Sequence, residues 1–193
     1  MKSTFKRLLG VWNTRTVVAV AIGAALFGVL MVYGGIPVFT NTKLTTAMVI
    51  PVIVGAMFGP VPAAVACFAG NTIADLIGGW GYWFDWSAGN AVLGFIVGLL
   101  PFYGAKINEG IFKTTHAVIY AVTCVIGNAL AFGVVTPLLT TLFYGGELEV
   151  TFMQAFAGGL ANTAILVIIG IPILFLLAKR NIRGTNLKIE KEE

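Results

Sequence analysis

The chain has 193 residues, of which 58% are hydrophobic and only 10% charged, with a mean hydropathy of +0.94 and a formal net charge of +4. Soluble globular domains carry about 25% charged residues, so the composition excludes that class. No block of basic residues is dense enough to indicate a nucleic-acid surface, and the positive charge therefore requires a membrane explanation.

Apolar stretches follow one another along the chain, and about 20 apolar residues suffice to cross a hydrocarbon core roughly 30 Å thick. Strand-like alternation is absent, so the spans are predicted to be helical. Pro60 and Pro62 should end one helix and begin the next, because proline lacks a backbone donor and biases its predecessor away from the α conformation. Pro137 is expected to kink the fifth helix or end its membrane part. The sequence predicts an all-α membrane protein, with one domain over 1–193 and six transmembrane helices at about 16–33, 44–59, 61–78, 86–104, 116–143 and 152–178.

The basic residues predict the orientation of these helices. Eleven of the twelve Lys and Arg residues fall on one side of the predicted membrane, which leaves Lys43 on the other. Cytoplasmic segments are enriched in Lys and Arg, so both termini are predicted to be cytoplasmic. No small-residue cleavage site follows the first helix, which is therefore interpreted as an uncleaved anchor.

Polar side chains gather on the opposite, outer side. Asn71 and Asp75 lie one helical turn apart in "GNTIADLIGGWGYWFDW" (70–86), and Asp75 is taken as the one clear acid at membrane depth. Ionisable residues within a membrane usually face the bundle interior and mark a functional site. The amides beneath the tryptophans therefore indicate either a cavity for a flat or bulky organic ligand, or interhelical hydrogen bonds below an interfacial aromatic belt. The set comprises Asn71, Asp75, Trp80, Trp83, Trp86, Asn90, Asn128, Gln154, Asn162 and Thr163.

An energy source is not visible in the sequence. The chain lacks a Walker A motif, and it shows neither the internal repeat nor the paired midplane acids expected of an ion-coupled carrier. His116 is interpreted as a helix-end residue, and Cys67 and Cys124 as small buried hydrophobes. A protein that captures a compound outside without a motor of its own indicates a partner.

The first helix offers a surface for such a partner. Ala21, Ala25 and Gly28 recur at steps of four and three residues, and Ala24 forms a second small pair with Gly28. Small residues on one helical face let another backbone approach closely in lipid. The pattern alone leaves docking of a partner and packing within the bundle equally open.

With these features the chain resembles the substrate-binding (S) components of energy-coupling factor (ECF) transporters, the vitamin importers of bacteria and archaea. The resemblance is greatest to the riboflavin-type branch. It rests on the helix layout, on Ala21 and Ala25, and on "TVVAVAIGAALF", "IP", "NT" and "FGP" ahead of the Trp-rich segment at 70–86. The motifs cover about residues 14–104. Many relatives carry a His where this chain has Asn71, a departure that bears on the ligand.

The resemblance implies a mechanism and a set of roles. An S component binds a vitamin near the outer face of the bacterial plasma membrane, and its outer loops close over the ligand. It then docks through its first helix on a membrane coupling subunit (T component), which two ATPase subunits drive. The protein is thus expected to be no enzyme and to need no cofactor. The roles implied are a lid at Asn41 and Thr42, a docking face at Ala21, Ala25 and Gly28, and a pocket lined by Asn71, Asp75, Trp83, Trp86, Asn90, Asn128, Gln154 and Asn162.

The cargo stays open between riboflavin, cobalamin and a pyridoxine-like compound. Riboflavin would stack on the tryptophans, whereas cobalamin would need a wider cavity. The main alternative function is an autonomous small-molecule carrier or channel that needs no ATPase partners. An intramembrane enzyme acting on lipids is the third possibility, and it is disfavoured because His116 lies on the opposite side from Asp75.

Overall fold

The computed structural model describes residues 8–39, 42–145 and 147–189, which form a helical bundle with one short β-hairpin. The hairpin consists of β1 (Gly35–Phe39) and the antiparallel β2 (Thr42–Thr45). The helices are α1 (Thr14–Tyr33), α2 (Val49–Phe58), α3 (Pro60–Ile77), α4 (Phe84–Val97), α5 (Thr114–Leu130), α6 (Thr136–Tyr144), α7 (Leu148–Ile168) and α8 (Gly170–Ile189).

Five helical segments of the described chain are long and apolar enough to cross a membrane. The second predicted span, 44–59, is different. Its first two residues belong to β2, and the rest forms a three-residue 3₁₀ turn followed by the ten residues of α2. At 1.5 Å per residue this segment extends only about 20 Å, less than the hydrocarbon core. The five long segments are Thr14–Tyr33, Pro60–Ile77, Phe84–Tyr103, Thr114–Tyr144 and Leu148–Ile182.

Proline and glycine set the breaks between helices. Gly59, at φ +97°, connects α2 to α3, and Pro60 and Pro62 lie in the first turn of α3, which confirms the predicted helical hairpin. A π-helical turn over Ala131–Val135 separates α5 from α6, directly before Pro137. The expected disruption at Pro137 is therefore a π turn within one continuous 31-residue segment.

One end of the bundle, which we call the hairpin end, carries the β-hairpin and the loop between α3 and α4. The Lys43 ammonium lies 5.3 Å from the centre of the Trp80 ring, which joins β2 to that loop. The Phe84 N–H donates a 2.9 Å hydrogen bond to the hydroxyl of Tyr144, the last residue of α6. The C-terminal ends of α1, α3 and α6 therefore meet here.

The other end, which we call the basic end, collects the N-terminal end of α1, the α2–α3 turn and the segment between α4 and α5. The Arg15 guanidinium lies 5.9 Å from the Phe58 ring, and the Asn108 side chain donates to the Met57 carbonyl at 3.0 Å. Gly110 packs directly on Ile182 of α8. Both described chain ends thus lie at this end, together with Arg15, Lys106, Lys113, Lys179 and Arg180.

Helix α1 packs on α3 through glycines. A Cβ on Gly28 would lie 2.6 Å from Ile73 Cγ2 and 3.0 Å from the Gly70 carbonyl oxygen, and one on Gly70 would lie 2.7 Å from Phe27 Cβ. The two backbones approach so closely that neither position has room for a methyl group. Close packing rather than a solvent-driven hydrophobic effect holds helices together in lipid, so this contact fixes α1 against α3.

Candidate functional site

A hydrogen-bonded polar cluster lies between α3 and α4 near the hairpin end. The Asn71 amide nitrogen donates to Ser87 Oγ at 3.1 Å and makes a longer contact of 3.4 Å with Asp75 Oδ2. The Asn90 amide nitrogen donates to Asn71 Oδ1 at 3.0 Å and to the Trp86 carbonyl at 3.0 Å. Asn71, Asp75, Ser87 and Asn90 are all buried. Three residues predicted for the pocket therefore form one network, and Ser87, which has no distinctive sequence signal, joins it.

Asp75 also holds the start of α4. Its Oδ2 accepts a 2.9 Å hydrogen bond from the backbone N–H of Trp83, the residue that precedes the helix. The first backbone donors of a helix have no partners within it, and a carboxylate near this end is favoured by the helix dipole. Trp83 lacks a side-chain capping bond of its own. Asp75 of α3 thus ties the cluster to the loop above it.

Asp85 is a second buried acid, which the interpretation of Asp75 as the one clear acid at membrane depth missed. Its side chain is fully buried, and its Oδ2 accepts a hydrogen bond from the Thr140 hydroxyl of α6. Its Oδ1 has no hydrogen-bond partner. Asp85 lies in the first turn of α4, so its bond with Thr140 links α4 to α6.

Aromatic rings cover the cluster at the hairpin end. The rings of Trp83 and Tyr144 lie 4.8 Å apart, and those of Phe84 and Phe143 lie 5.7 Å apart in an edge-to-face arrangement. Tyr82, Phe84, Phe143 and Tyr144 line an open groove of about 380 Å³. Trp83 remains 37% exposed, which leaves ring surface free for stacking.

A second polar face lies between α4 and α5. Trp86 of α4 contacts Phe132 of the π turn, with ring centres 5.8 Å apart. Asn90 of α4 and Asn128 of α5 each lie one turn from these rings. Asn128 donates to the Cys124 carbonyl at 2.9 Å. The Oδ1 atoms of Asn90 and Asn128 are buried without a hydrogen-bond partner. This face therefore offers two amide oxygens for a further contact.

Helix α7 faces the same region. A Cβ on Gly159 would lie 3.7 Å from Asn128 Cβ, so the glycine gives α7 room beside α5. Asn162 is buried one turn further along α7, and Gln154 is half-buried nearer the hairpin end. The structure describes no hydrogen bond that joins either amide to the Asn71 cluster. Their part in a pocket remains a prediction.

The proposed lid is described only in part. Asn41 lies outside the described residues, and Thr42 enters only as the first residue of β2. Lys43, which follows it, donates a 2.9 Å hydrogen bond to the Val32 carbonyl and lies over Trp80. The hairpin is thus tied both to the end of α1 and to the tryptophan loop, through a residue to which the sequence interpretation gave no role.

The small residues of α1 divide between two faces. Ala21 and Ala25 are exposed, whereas Ala24 and Gly28 are buried. Gly28 meets Ile73 and Gly70 of α3, so its assignment to the docking face is wrong, and internal packing is its role. The predicted docking stripe contracts to Ala21 and Ala25.

Three residues set aside from the site behave as the sequence indicates. His116 Nδ1 accepts a 3.1 Å hydrogen bond from the Lys113 backbone N–H at the start of α5, as expected of a helix-end residue. Cys67 and Cys124 are both buried with free thiols.

Together these features define a multi-pass helical membrane protein with a buried polar site beneath aromatic residues at one end of the bundle. The chain belongs to the family of ECF-type riboflavin transporter S components, whose family model matches residues 11–179. The recognition made from the sequence is therefore confirmed, and the protein is a substrate-binding subunit of a transporter rather than a member of an enzyme class.

Relatives match over nearly the whole chain. The UPF0397 protein of Aliivibrio fischeri (strain MJ11) is 36% identical over 178 residues, which cover 91% of this chain and 96% of the relative. The UPF0397 protein of Vibrio atlanticus (strain LGP32) is 32% identical over 179 residues, 91% of this chain and 97% of its own. The fold is similar to the crystal structure of FolT bound with folic acid, with a TM-score of 0.59 at 17% identity over 87% of this chain and 95% of FolT.

Proposed function

We propose that the chain is the high-affinity substrate-binding subunit of an ECF-type importer for a vitamin, riboflavin or cobalamin, energised by a separate coupling subunit and two ATPase subunits. The observation that carries the proposal is the buried network of Asn71, Asp75, Ser87 and Asn90 beneath the rings at the hairpin end. Polar groups buried together at membrane depth are costly, and such groups usually serve a ligand or a pathway.

The proposed orientation places the hairpin end outside the bacterial plasma membrane. The basic end carries Arg15, Lys106, Lys113, Lys179 and Arg180, and a cytoplasmic location for these residues satisfies the positive-inside rule. The polar cluster then opens toward the medium from which a vitamin would arrive.

In this proposal the vitamin stacks on exposed rings and reaches the amides below them. Trp83 and Tyr144 supply aromatic surface next to the open groove of about 380 Å³. The hairpin is proposed to act as the lid, to which Asn41 and Thr42 would contribute. The other proposed ligand contacts are Asn71, Asp75, Trp86, Asn90, Asn128, Gln154 and Asn162.

Docking of the coupling subunit is proposed at Ala21 and Ala25. These small residues are exposed on α1 between larger exposed side chains, including Val18 at 49%, Ile22 at 54% and Leu26 at 47%. A shallow stripe flanked by larger apolar groups lets a partner helix approach closely.

The cargo can be identified by native mass spectrometry of the detergent-purified protein from cells grown in rich medium. A bound flavin or corrinoid, retained through purification, is the expected result. Recovery of the protein with a coupling subunit and ATPases, and ATP-dependent uptake only with them, would complete the test. Flux through liposomes that contain this chain alone would instead establish an autonomous carrier or channel. Labelling of either terminus from outside intact cells would reverse the proposed orientation.

A further inference from the structure

The donors and acceptors of the polar cluster follow one order, from Asp75 through Asn71 to Asn90. Asp75 Oδ2 can only accept from the Asn71 side chain, so the Asn71 amide nitrogen must face it and Asn71 Oδ1 must face away. Asn71 Oδ1 in turn accepts from the Asn90 amide nitrogen, which also faces the Trp86 carbonyl. The chain of bonds begins at a carboxylate and ends at Asn90 Oδ1, which is buried without a partner.

Asn128 presents the same atom from α5. Its amide nitrogen donates to the Cys124 carbonyl at 2.9 Å, so a flipped amide would set two oxygens against each other. Its Oδ1 therefore points away from its own helix, and it too is buried without a partner. Asn90 and Asn128 are 2% and 4% exposed. Native proteins rarely leave buried acceptors unpaired, so both oxygens call for donors from outside the protein.

The two amides lie one helical turn from the same aromatic contact. Trp86 lies one turn before Asn90 and Phe132 one turn after Asn128, and their rings meet at 5.8 Å. The amides therefore flank one aromatic contact between α4 and α5. A ring that entered here would meet aromatic surface and two hydrogen-bond acceptors together.

Most charged side chains at the hairpin end are acidic. Asp75 and Asp85 are buried, and Glu147 and Glu149 lie at the start of α7. Among the described residues Lys43 is the one Lys or Arg at this end, and its ammonium already meets the Val32 carbonyl and the Trp80 ring. A phosphate or carboxylate placed among these acids would meet repulsion that the single Lys43 ammonium does not balance.

We infer that the substrate presents N–H or O–H donors to Asn90 Oδ1 and Asn128 Oδ1 and carries no terminal phosphate, pyrophosphate or carboxylate. It is a neutral or cationic, donor-bearing compound with an aromatic or conjugated ring. This inference rests on the proposed function and specifies the chemistry of its ligand. The inference predicts that the protein binds a vitamin in preference to the phosphorylated cofactor made from it.

Matched compounds test the charge requirement. The purified full chain is titrated with riboflavin against flavin mononucleotide, pyridoxamine against its 5′-phosphate, thiamine against thiamine pyrophosphate, and also with cobalamin and folic acid. At least one neutral or cationic member should bind, and its phosphorylated counterpart should bind at least about tenfold more weakly. If folic acid or a phosphorylated member binds best, the inference is overturned while the proposed function stands. If no panel compound binds and no compound from a cell extract co-purifies, the proposed function itself fails.

Variants test the two acceptors with the compound that binds. Asn90→Leu and Asn128→Leu should each weaken binding about tenfold or more, because a ligand donor loses its buried acceptor. Asn108→Leu, at the basic end, is the matched control and should leave affinity unchanged. Thermal unfolding of the ligand-free variants shows whether a loss of affinity is caused by misfolding. If a variant is misfolded, the comparison of each vitamin with its phosphorylated form tests the inference instead. Wild-type affinity in both folded leucine variants would overturn the assignment of the amides.

Discussion

Thr140 and Thr141 offer a matched pair for measuring the contact that holds Asp85. Both hydroxyl oxygens lie within hydrogen-bond distance of a carbonyl one turn earlier, at 2.9 Å for Thr140 and 3.0 Å for Thr141. Only Thr140 also reaches the buried Asp85 carboxyl group. Valine has nearly the shape of threonine without the hydroxyl, so the difference between Thr140→Val and Thr141→Val isolates the Asp85 contact.

The magnitude follows from the surroundings of Asp85. Its Oδ1 has no hydrogen-bond partner, so Thr140→Val would remove the described side-chain partner of a fully buried group. A buried acceptor left unpaired costs about 1–3 kcal/mol. For a chain of this size each kcal/mol lowers Tm by roughly 2–4 °C, which gives a decrease of roughly 2–12 °C. Thr141 is exposed, so Thr141→Val should change stability by no more than about 0.5 kcal/mol.

Thermal unfolding of the ligand-free variants in one detergent, followed by circular dichroism, measures the difference. The double variant Asp85→Leu/Thr140→Val should recover part of the loss, because replacing both partners with apolar groups leaves no orphaned acceptor. Equal melting temperatures for Thr140→Val and Thr141→Val would show that Asp85 does not depend on this hydroxyl. The link between α4 and α6 through Asp85 and Thr140 would then be refuted.

Three further predictions concern the cluster, the helix contact and the docking face. A double-mutant cycle of Asn71→Leu and Asn90→Leu should give a coupling energy of about 0.5–1.5 kcal/mol in ligand-free unfolding, and additive effects would show that the amides do not act together. Gly70→Ala should destabilise the fold by about 1–3 kcal/mol, because its Cβ would lie 2.7 Å from Phe27 Cβ and 2.9 Å from the Ala24 carbonyl oxygen. Gly133→Ala, with nothing within 4 Å, is the control, and equal stability of the two would contradict the close helix contact. Ala25→Trp should abolish uptake in cells with the partner subunits while leaving ligand affinity unchanged, whereas Val122→Trp, on the exposed face of α5, should retain uptake. Unimpaired uptake by Ala25→Trp would remove the docking assignment.

Hydrophobicity predicted the long helices because a lipid-facing helix must be apolar over its whole length. Pro60 and Pro62 predicted the turn between α2 and α3, because proline lacks a backbone donor and disfavours the α conformation in the residue before it. The β-hairpin escaped notice because "GIPVF" and "TKLT" are too short for alternation to be read, and Pro37 interrupts the first strand. The helix within the predicted span 44–59 is shorter than expected, since the first residues of that span pair with β1.

The site was predictable as a set of residue types but not as a set of partners. Asn71 and Asp75 are visible because amides and acids are rare within apolar helices. Asp85 follows Trp83 and Phe84 and so resembles an interfacial residue. Its burial depends on α6, whose Thr140 lies 55 positions further along the chain. Likewise, Ala21 and Ala24 have similar sequence neighbours. Only the packing of α3 against α1 decides that Ala24 is buried and Ala21 is exposed.

The division of α1 has a mechanical consequence. One side of the helix is locked against α3 at Gly28 and Gly70, while the side with Ala21 and Ala25 is free. Gly70 immediately precedes Asn71, so α1 and the first residue of the polar network form one rigid lever. In the proposed transporter, a partner that docked on the free side and tilted this helix would also move the Asn71 amide that orients Asn90.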